Sequence, residues 1–353
     1  MARTFAARLL AWFDQCQRDL PWRRSRDPWA IWVSEIMLQQ TRVEAVRDAY
    51  ERFMAAYPDP AAFAAVTDDE LMRAWRGLGY YRRARLLRDG AHAVVRDHDG
   101  RVPNDPDALG QLPGIGTYTR GAIASIAFDV PEPAVDGNVE RVFARHRGIT
   151  TDIKAGPAQR AVREHAAAEL DPRRPGDFNQ ALMELGATVC TPRSPRCADC
   201  PVAADCTALA EGTAAELPAR KPRPEPIDVT SRAVLVLKNG QAPSSQALGA
   251  RVPDDEPNAG QIELPGAGVL VTADAATLGG VLQQRYAANV TVGSELARVR
   301  HAITRHRITY CVHGGEAEAR GRLRWHPIDE ETPWTTVSRK AFRQADRARA
   351  EPE

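Results

Sequence analysis

The chain has 353 residues, 43% of them apolar, and a formal net charge of +1. At roughly 150 residues per domain this length suggests about two domains, with apolar content sufficient for real cores. No run of about 18 uninterrupted apolar residues occurs, so no membrane span is expected, and nucleic-acid binding by bulk charge is excluded. Residues 1–220 alone hold 29 Lys and Arg against 30 Asp and Glu, so any polyanion site must come from local clustering.

The first stretch, "MARTFAARLLAWFDQCQRD", is interrupted by Arg3, Arg8 and Asp14. It reads as an amphipathic helix, not a signal peptide, and the protein is expected to be cytoplasmic. From there to about residue 210 apolar positions recur every three or four residues, as in Trp32, Val33, Ile36, Met37, Val43, Val46, Tyr50 and Phe53. That period predicts helices. "WVSEIMLQQT" at 32–41 belongs to one of them, yet it carries Glu35 among apolar residues. At helical spacing the neighbours of Glu35 are Ile31, Trp32, Leu38 and Gln39, three of them apolar. A carboxyl in that setting has a raised pKa and holds its proton, as a general acid must. The bland alternative is a surface glutamate, but little polar face remains around it.

Further along, "RGLGYYRRARLLR" sets Arg76, Arg82, Arg83, Arg85 and Arg88 beside Tyr80 and Tyr81. Arginines neutralise phosphates and tyrosines stack on bases; a solvated helix face is an equal alternative. "LPGIG" at 112–116 precedes a helical run starting near Thr117. Gly114 and Gly116 permit positive φ, and a helix N-terminus can accept an anion. The pattern is a helix-hairpin-helix that grips a DNA phosphate, or a tight turn without a ligand. "PAVDGNVERVFARH" puts Asp136 just before a helix carrying Val139, Val142, Phe143 and His146. The ordinary use of such a residue is an N-cap. The functional one is a carboxylate kept ionised by the helix dipole, which can stabilise positive charge on a sugar, with Asn138 orienting it. A proton donor and a carboxylate in different environments are the pattern of glycoside-bond cleavage.

Four of the six cysteines, Cys190, Cys197, Cys200 and Cys206, follow the spacing C-x6-C-x2-C-x5-C. Zinc usually pairs two short knuckles. One short pair flanked by unequal gaps suits a single 4Fe–4S cube better, and the same loop would hold Arg193 and Arg196 near a phosphate. A proline-rich stretch at 216–230 then reads as a stiff linker. After it "SRAVLVLKNG" and "HRITYCVHGG" look like strands, and "AATLGGVLQQRYAAN" like a helix between them.

Taken together, "PWRRSRDPWAIWVSEIMLQQTRV", "GLGYYRRARLL", "LPGIGTYTRGAI", "VDGNVERVFAR", "FNQALMELGATVC" and the four-cysteine loop closely resemble the MutY family of adenine DNA glycosylases, within the endonuclease III superfamily. The resemblance covers about residues 8–210. It implies a mainly α fold: a two-lobed helix-hairpin-helix glycosylase domain over 1–215 with a 4Fe–4S loop at 190–206. After the linker at 216–230 it implies a smaller α+β, Nudix-like domain over 231–345, with a disordered tail at 346–353. It implies a monomer acting on mismatched double-stranded DNA, associated with the nucleoid when bound, that flips adenine out opposite 8-oxoguanine or guanine. By the family pattern Glu35 protonates the base and Asp136 stabilises the oxocarbenium ion, with Tyr118 and Asn138 beside them. Trp22, Arg23, Leu38 and Gln180 match positions lining the adenine pocket. Gln40, Thr41, Leu78 and Tyr80 match positions that enter the duplex and contact the opposite base. Bifunctional relatives carry a lysine two residues after the last hairpin glycine. Here that position is Tyr118, and Lys154 is the only lysine in residues 1–220, so weak or no strand cleavage is expected.

The C-terminal part departs from the family. "GQIELPGAG" lacks the family's aromatics, and the Phe-Ser-His loop falls at Ile303-Thr304-Arg305, with His301 and His306 nearby. No glutamate-rich Nudix box is found, so pyrophosphate hydrolysis is not expected. A glycosylase for another mispaired base, such as thymine opposite G, and a non-catalytic lesion-binding module are the alternatives.

Overall fold

The computed structural model describes residues 4–219, 221, 224–238 and 246–350. The chain divides into two compact units, Met1–Val66 with Gly77–Gly79 and Arg83–Pro222, and Thr67–Arg76 with Tyr80–Arg82 and Arg223–Glu353. Among the described residues no helix is long and apolar enough to cross a membrane.

In chain order the first helices are α1 (Phe5–Cys16), α2 (Pro28–Leu38), α3 (Val43–Ala56), α4 (Pro60–Ala64), α5 (Asp68–Ala74), α6 (Arg82–Asp97), α7 (Pro106–Gln111) and α8 (Thr117–Phe128). There follow α9 (Gly137–His146), α10 (Gly156–Glu169), α11 (Pro175–Thr188) and the short α12 (Thr207–Ala210). Local chemistry sets their starts. Thr4 accepts from the Ala7 amide at 3.2 Å and Asp27 from the Trp29 amide at 2.9 Å, while Pro28 and Pro106 occupy first turns. Helices α1, α9, α10 and α11 bury one core through Leu9, Phe13, Val139, Phe143, Phe178 and Leu185. A separate aromatic group, Trp29, Trp32, Phe53, Tyr57 and Phe63, joins α2 to α3 and α4, with Trp29 and Trp32 edge to face at 5.7 Å.

Close backbone approach then positions the site. A Cβ on Gly186 of α11 would fall 2.5 Å from Asn138 Cβ, so only glycine lets α11 lie against the start of α9. In the hairpin before α8, Gly114 takes φ +81°, and a Cβ there would meet Leu86 Cβ at 3.0 Å. Gly116 does not use the positive φ anticipated for it; it is extended (φ −90°) and caps α8.

Among the described residues the second unit has two three-stranded sheets. In one, β1 (Ile227–Leu235) pairs parallel to β5 (His306–Ala317), which pairs antiparallel to β4 (Val290–Ile303). In the other, β2 (Gln246–Arg251) lies between β3 (Ile262–Glu263) and β6 (Arg324–Pro327). Helix α14 (Thr336–Ala350) packs on β4 and brings Val337, Ala341 and Phe342 to a core with Val299, Ile308 and Tyr310. Helix α13 (Ala275–Tyr286) buries Leu278 and Leu282 in a second core. Helix α5 belongs to this unit, where Asp69 pairs with Arg251 at 2.6 Å.

Three expectations change. Strand β1 begins at Ile227, inside the stretch read as linker, because pairing with β5 supplies its hydrogen bonds. Helix α14 runs to Ala350, so 346–350 are helical where a disordered tail was expected, and 351–353 lie outside the described residues. Helix α2 stops at Leu38, so Gln39 and Gln40 lie beyond it; Gln39 is its C-cap with ψ 115° and Gln40 has φ +56°.

Candidate active site

A cavity of about 610 Å3 opens in the first unit, within the size range of small-molecule sites. Glu35, Tyr118, Asp136 and Asn138 all line it, brought together from α2, α8 and the start of α9. So do Trp22, Arg23, Leu38, Gln40, Thr41 and Gln180. Ten residues spread over the sequence from 22 to 180 thus face one space.

Glu35 sits in the last two turns of α2, and its neighbours Ile31, Trp32, Ile36 and Met37 are all buried. Burial raises its pKa to about 7; the Tyr118 hydroxyl opposes the rise, the charge of Asp136 adds to it and Arg23 opposes it. Tyr118 donates to Glu35 Oε2, and its hydroxyl also lies 3.1 Å from the Met183 sulfur. The second carboxyl oxygen of Glu35 is left for another partner.

Asp136 is the N-cap of α9. Its Oδ1 accepts from the amides of Asn138 at 2.9 Å and Val139 at 2.8 Å, and its Oδ2 from Asn138 Nδ2 at 2.7 Å. The helix start does not hold its pKa below the ordinary value, as the sequence reading expected. Burial raises it, and those hydrogen bonds and the Arg141 charge offset only part of the rise. The two carboxyls differ in their donors: Glu35 meets one hydroxyl, whereas Asp136 accepts three hydrogen bonds. Behind Asn138 stands a buried arginine. Arg141 donates to Asn138 Oδ1 at 2.8 Å, to the Gly186 carbonyl at 2.6 Å and to the Cys190 carbonyl at 2.7 Å.

The sequence reading missed part of the wall. Glu184 is 1% exposed and takes Arg18 at 2.7 and 2.9 Å and Arg23 at 2.8 Å. Burial pushes its carboxyl up, but the two guanidinium groups outweigh that and hold it below the ordinary value. Arg23 also lies over the Phe13 ring at 5.3 Å. The signal for Glu184 and Met183 was available, since they follow Gln180 by four and three residues on one helix face. Glu140 and Lys154 also line the cavity, and the Lys154 ammonium contacts both Glu140 oxygens at 2.6 and 2.9 Å. No sequence spacing joins that pair.

Other expected residues lie outside the cavity. Leu78 is buried at 4% exposure, and Tyr80, 55% exposed with φ +48°, belongs to the second unit. Gly114 and Gly116 sit in the hairpin before α8 and do not line it. The arginine run does not form one solvated face: Arg83 and Arg88 turn to backbone carbonyls, Arg88 to Val66 at 3.3 Å.

A second cavity is lined by Cys190, Cys197, Cys200 and Cys206 with Val142, Arg145 and His146. Burial pushes the Cys200 thiol up to about 11, and the other three cysteines push the same way. Four cysteine sulfurs are the donor set that an iron–sulfur cluster takes. The four cysteines line this one cavity together, so they are the residues that would hold the cluster. Arg145, 2% exposed, donates to Cys190 Sγ at 3.3 Å and to the Thr191 carbonyl at 2.8 Å. It fixes one ligand from outside the ring.

Residues 33–168 match the HhH-GPD superfamily of base excision DNA repair proteins, and residues 190–206 match the iron–sulfur binding domain of endonuclease III. The adenine DNA glycosylase of Mus musculus is 47% identical over 63% of this chain and 45% of its own length. That of Mycolicibacterium smegmatis is 45% identical over 55% of this chain and 66% of its own length. The chain thus spans less than half the length of the mouse relative it matches. A thermostable thymine-DNA glycosylase structure superposes with a TM-score of 0.54 at 30% identity, covering 59% of this chain and 95% of that one. With that coverage, the hairpin before α8, the buried acid and the four-cysteine cavity in one unit, the chain belongs to the HhH-GPD superfamily of base excision DNA repair proteins and carries its 4Fe–4S ligand set.

Proposed function

We propose that the protein is an adenine DNA glycosylase that hydrolyses the N-glycosidic bond of adenine mispaired with 8-oxoguanine or guanine in duplex DNA, acting as a monomer. The observation that carries this reading is the unequal pair: Glu35 with a pKa of about 7 and Asp136 held by three hydrogen bonds, in one cavity. A flipped adenine is a poor leaving group until a ring nitrogen is protonated. Glu35 supplies that proton through the carboxyl oxygen that Tyr118 does not engage, and the C–N bond breaks as positive charge grows on the deoxyribose. Asp136 faces that charge. Water then adds to the sugar and passes a proton to a carboxylate, which leaves an abasic site and free adenine.

The reaction is expected to stop at hydrolysis. Among the described residues lining the cavity the one amine, Lys154, is engaged by both Glu140 carboxyl oxygens. In the second unit we propose a Nudix-like recognition role. It is supported by the mixed sheet β1–β5–β4 and by the β4–β5 hairpin, which exposes Thr304 and Arg305 at its tip where the family reads the opposite base.

The test is a single-turnover panel of duplexes with adenine opposite 8-oxoguanine, G, C and T, with the released base identified by chromatography. Adenine should be released fastest opposite 8-oxoguanine and G. Release of thymine instead, or of no base, would sink the reading.

A further inference from the structure

Helix α2 ends at Leu38, whose carbonyl takes the Thr41 amide at 3.3 Å, and the carbonyls of Ile36 and Met37 before it need partners of their own. One side chain from α6 takes them. Arg83 Nη1 donates to the carbonyls of Ile36 at 2.7 Å and Met37 at 3.1 Å, and also to that of Gln39. Its Nη2 donates to Thr41 Oγ1 at 3.1 Å, the Leu78 carbonyl at 3.0 Å and the Gly79 carbonyl at 3.2 Å. Thr41 closes the group, since its hydroxyl lies 3.3 Å from both the Gln39 and the Leu78 carbonyl. Both joined turns are strained or glycine-bearing: Gln40 has φ +56°, and Gly77 and Gly79 have φ +88° and +67°. A non-glycine residue in that region persists only where its surroundings over-determine it.

We infer that Arg83 is a positioning residue for base extrusion: it locks the Gln39–Thr41 turn, which lines the cavity, to the Leu78–Gly79 turn, so that both are preset before DNA arrives. The guanidinium fork does this because its two nitrogens face two different chain segments. A lysine presents its donors at one point and cannot span both. A cation at the C-terminus of α2 also suits the helix dipole. The inference rests on the proposed adenine excision for its kinetic readout but not for its structural one.

The experiment uses Arg83→Lys in the full iron-loaded chain, with Thr41→Val as the milder variant. Amide hydrogen exchange at Gln40, Thr41 and Gly79 should rise at least tenfold in Arg83→Lys, with iron content and melting temperature unchanged. Adenine release should fall at least tenfold opposite G, and much less opposite an abasic site, where the base is already unpaired and extrusion costs little. Thr41→Val should move both readouts in the same direction by two- to threefold. Unchanged exchange in both variants overturns the lock. An equal loss of rate on paired and unpaired adenine overturns the extrusion role. If the wild-type protein releases no adenine at all, the proposed activity fails, and the exchange data alone decide the lock. If Arg83→Lys does not fold, the exchange and paired-against-unpaired comparison in Thr41→Val decides it.

Discussion

Glu35 and Asp136 stand on two walls of the cavity, and their surroundings hold them by different means. On the α2 wall Glu35 is surrounded by buried apolar side chains and meets one hydroxyl, so the proton stays on until about pH 7. On the α9 wall Asp136 is buried too, but two amides and a carboxamide point at it. Burial raises both pKa values; one hydrogen bond, from Tyr118, opposes the first and three oppose the second. One fold thereby sets two carboxyls in one cavity in different surroundings, and the difference lies in donor count rather than depth.

Breaking the α2 wall should have the largest effect. Glu35→Gln removes the proton donor and should slow adenine release by about 10²–10⁴-fold in single turnover. The same substitution should stabilise the protein at alkaline pH. The folded-state pKa of Glu35 is raised from 4.5 to about 7, so its contribution to stability is full below about 4.5 and lost as pH rises through about 7. Between pH 5.5 and 8.5 the stability of Glu35→Gln relative to wild type should therefore grow by about 2 kcal/mol, read from denaturant melts at both pH values. No gain on raising the pH would mean that Glu35 is not desolvated.

On the α9 wall, Asp136→Asn should cost about 10²–10³-fold in rate, because the charge facing the sugar is lost. Asparagine still caps the helix, so the melting temperature should hold, whereas Asp136→Ala should lose about 1 kcal/mol as well. One step further back, Arg141→Met should lower the rate by about tenfold, since Asn138 loses the partner that orients it. A full-rate Arg141→Met protein would show that Asn138 holds Asp136 unaided.

The smallest effect is the sharpest test of the comparison. The rate should fall as pH rises through about 7, because only protonated Glu35 can donate. The Tyr118 hydroxyl lowers that pKa, so Tyr118→Phe should move the alkaline limb of the pH–rate profile to higher pH. A limb that moved down would mean that Tyr118 stabilises the protonated acid.

Much of the site was legible because its signals are local. Glu35 stood out against neighbours one turn away, Asp136 by its place before a helix, and the cysteines by spacing alone. The start of α8 at Thr117 and the strand character of β1 and β5 were read the same way. Strand β4 was not anticipated, because its outward face carries Glu295, Arg298 and Arg300 and its pattern is broken by a bulge. Helix α2 was read too long, since nothing in the letters of "LQQT" marks a stop; Gln40 takes φ +56° there, and Arg83, more than forty residues away, binds the carbonyls of that turn.

The sequence by itself determined which side chains were available for the chemistry: one acid in an apolar run, one capping carboxylate and four thiols in a compact loop. Periodicity and spacing act over one or two turns, and those features need nothing longer. Only the tertiary structure decided that Glu184 binds both Arg18 and Arg23, that Lys154 reaches Glu140, and that Arg141 joins Asn138 to the Cys190 carbonyl. Apart from the Arg141–Asn138 bond, one turn apart on α9, each of these is a hydrogen bond of about 3 Å between residues at least 14 positions apart, and such proximity is set by how the helices pack, which no local pattern encodes.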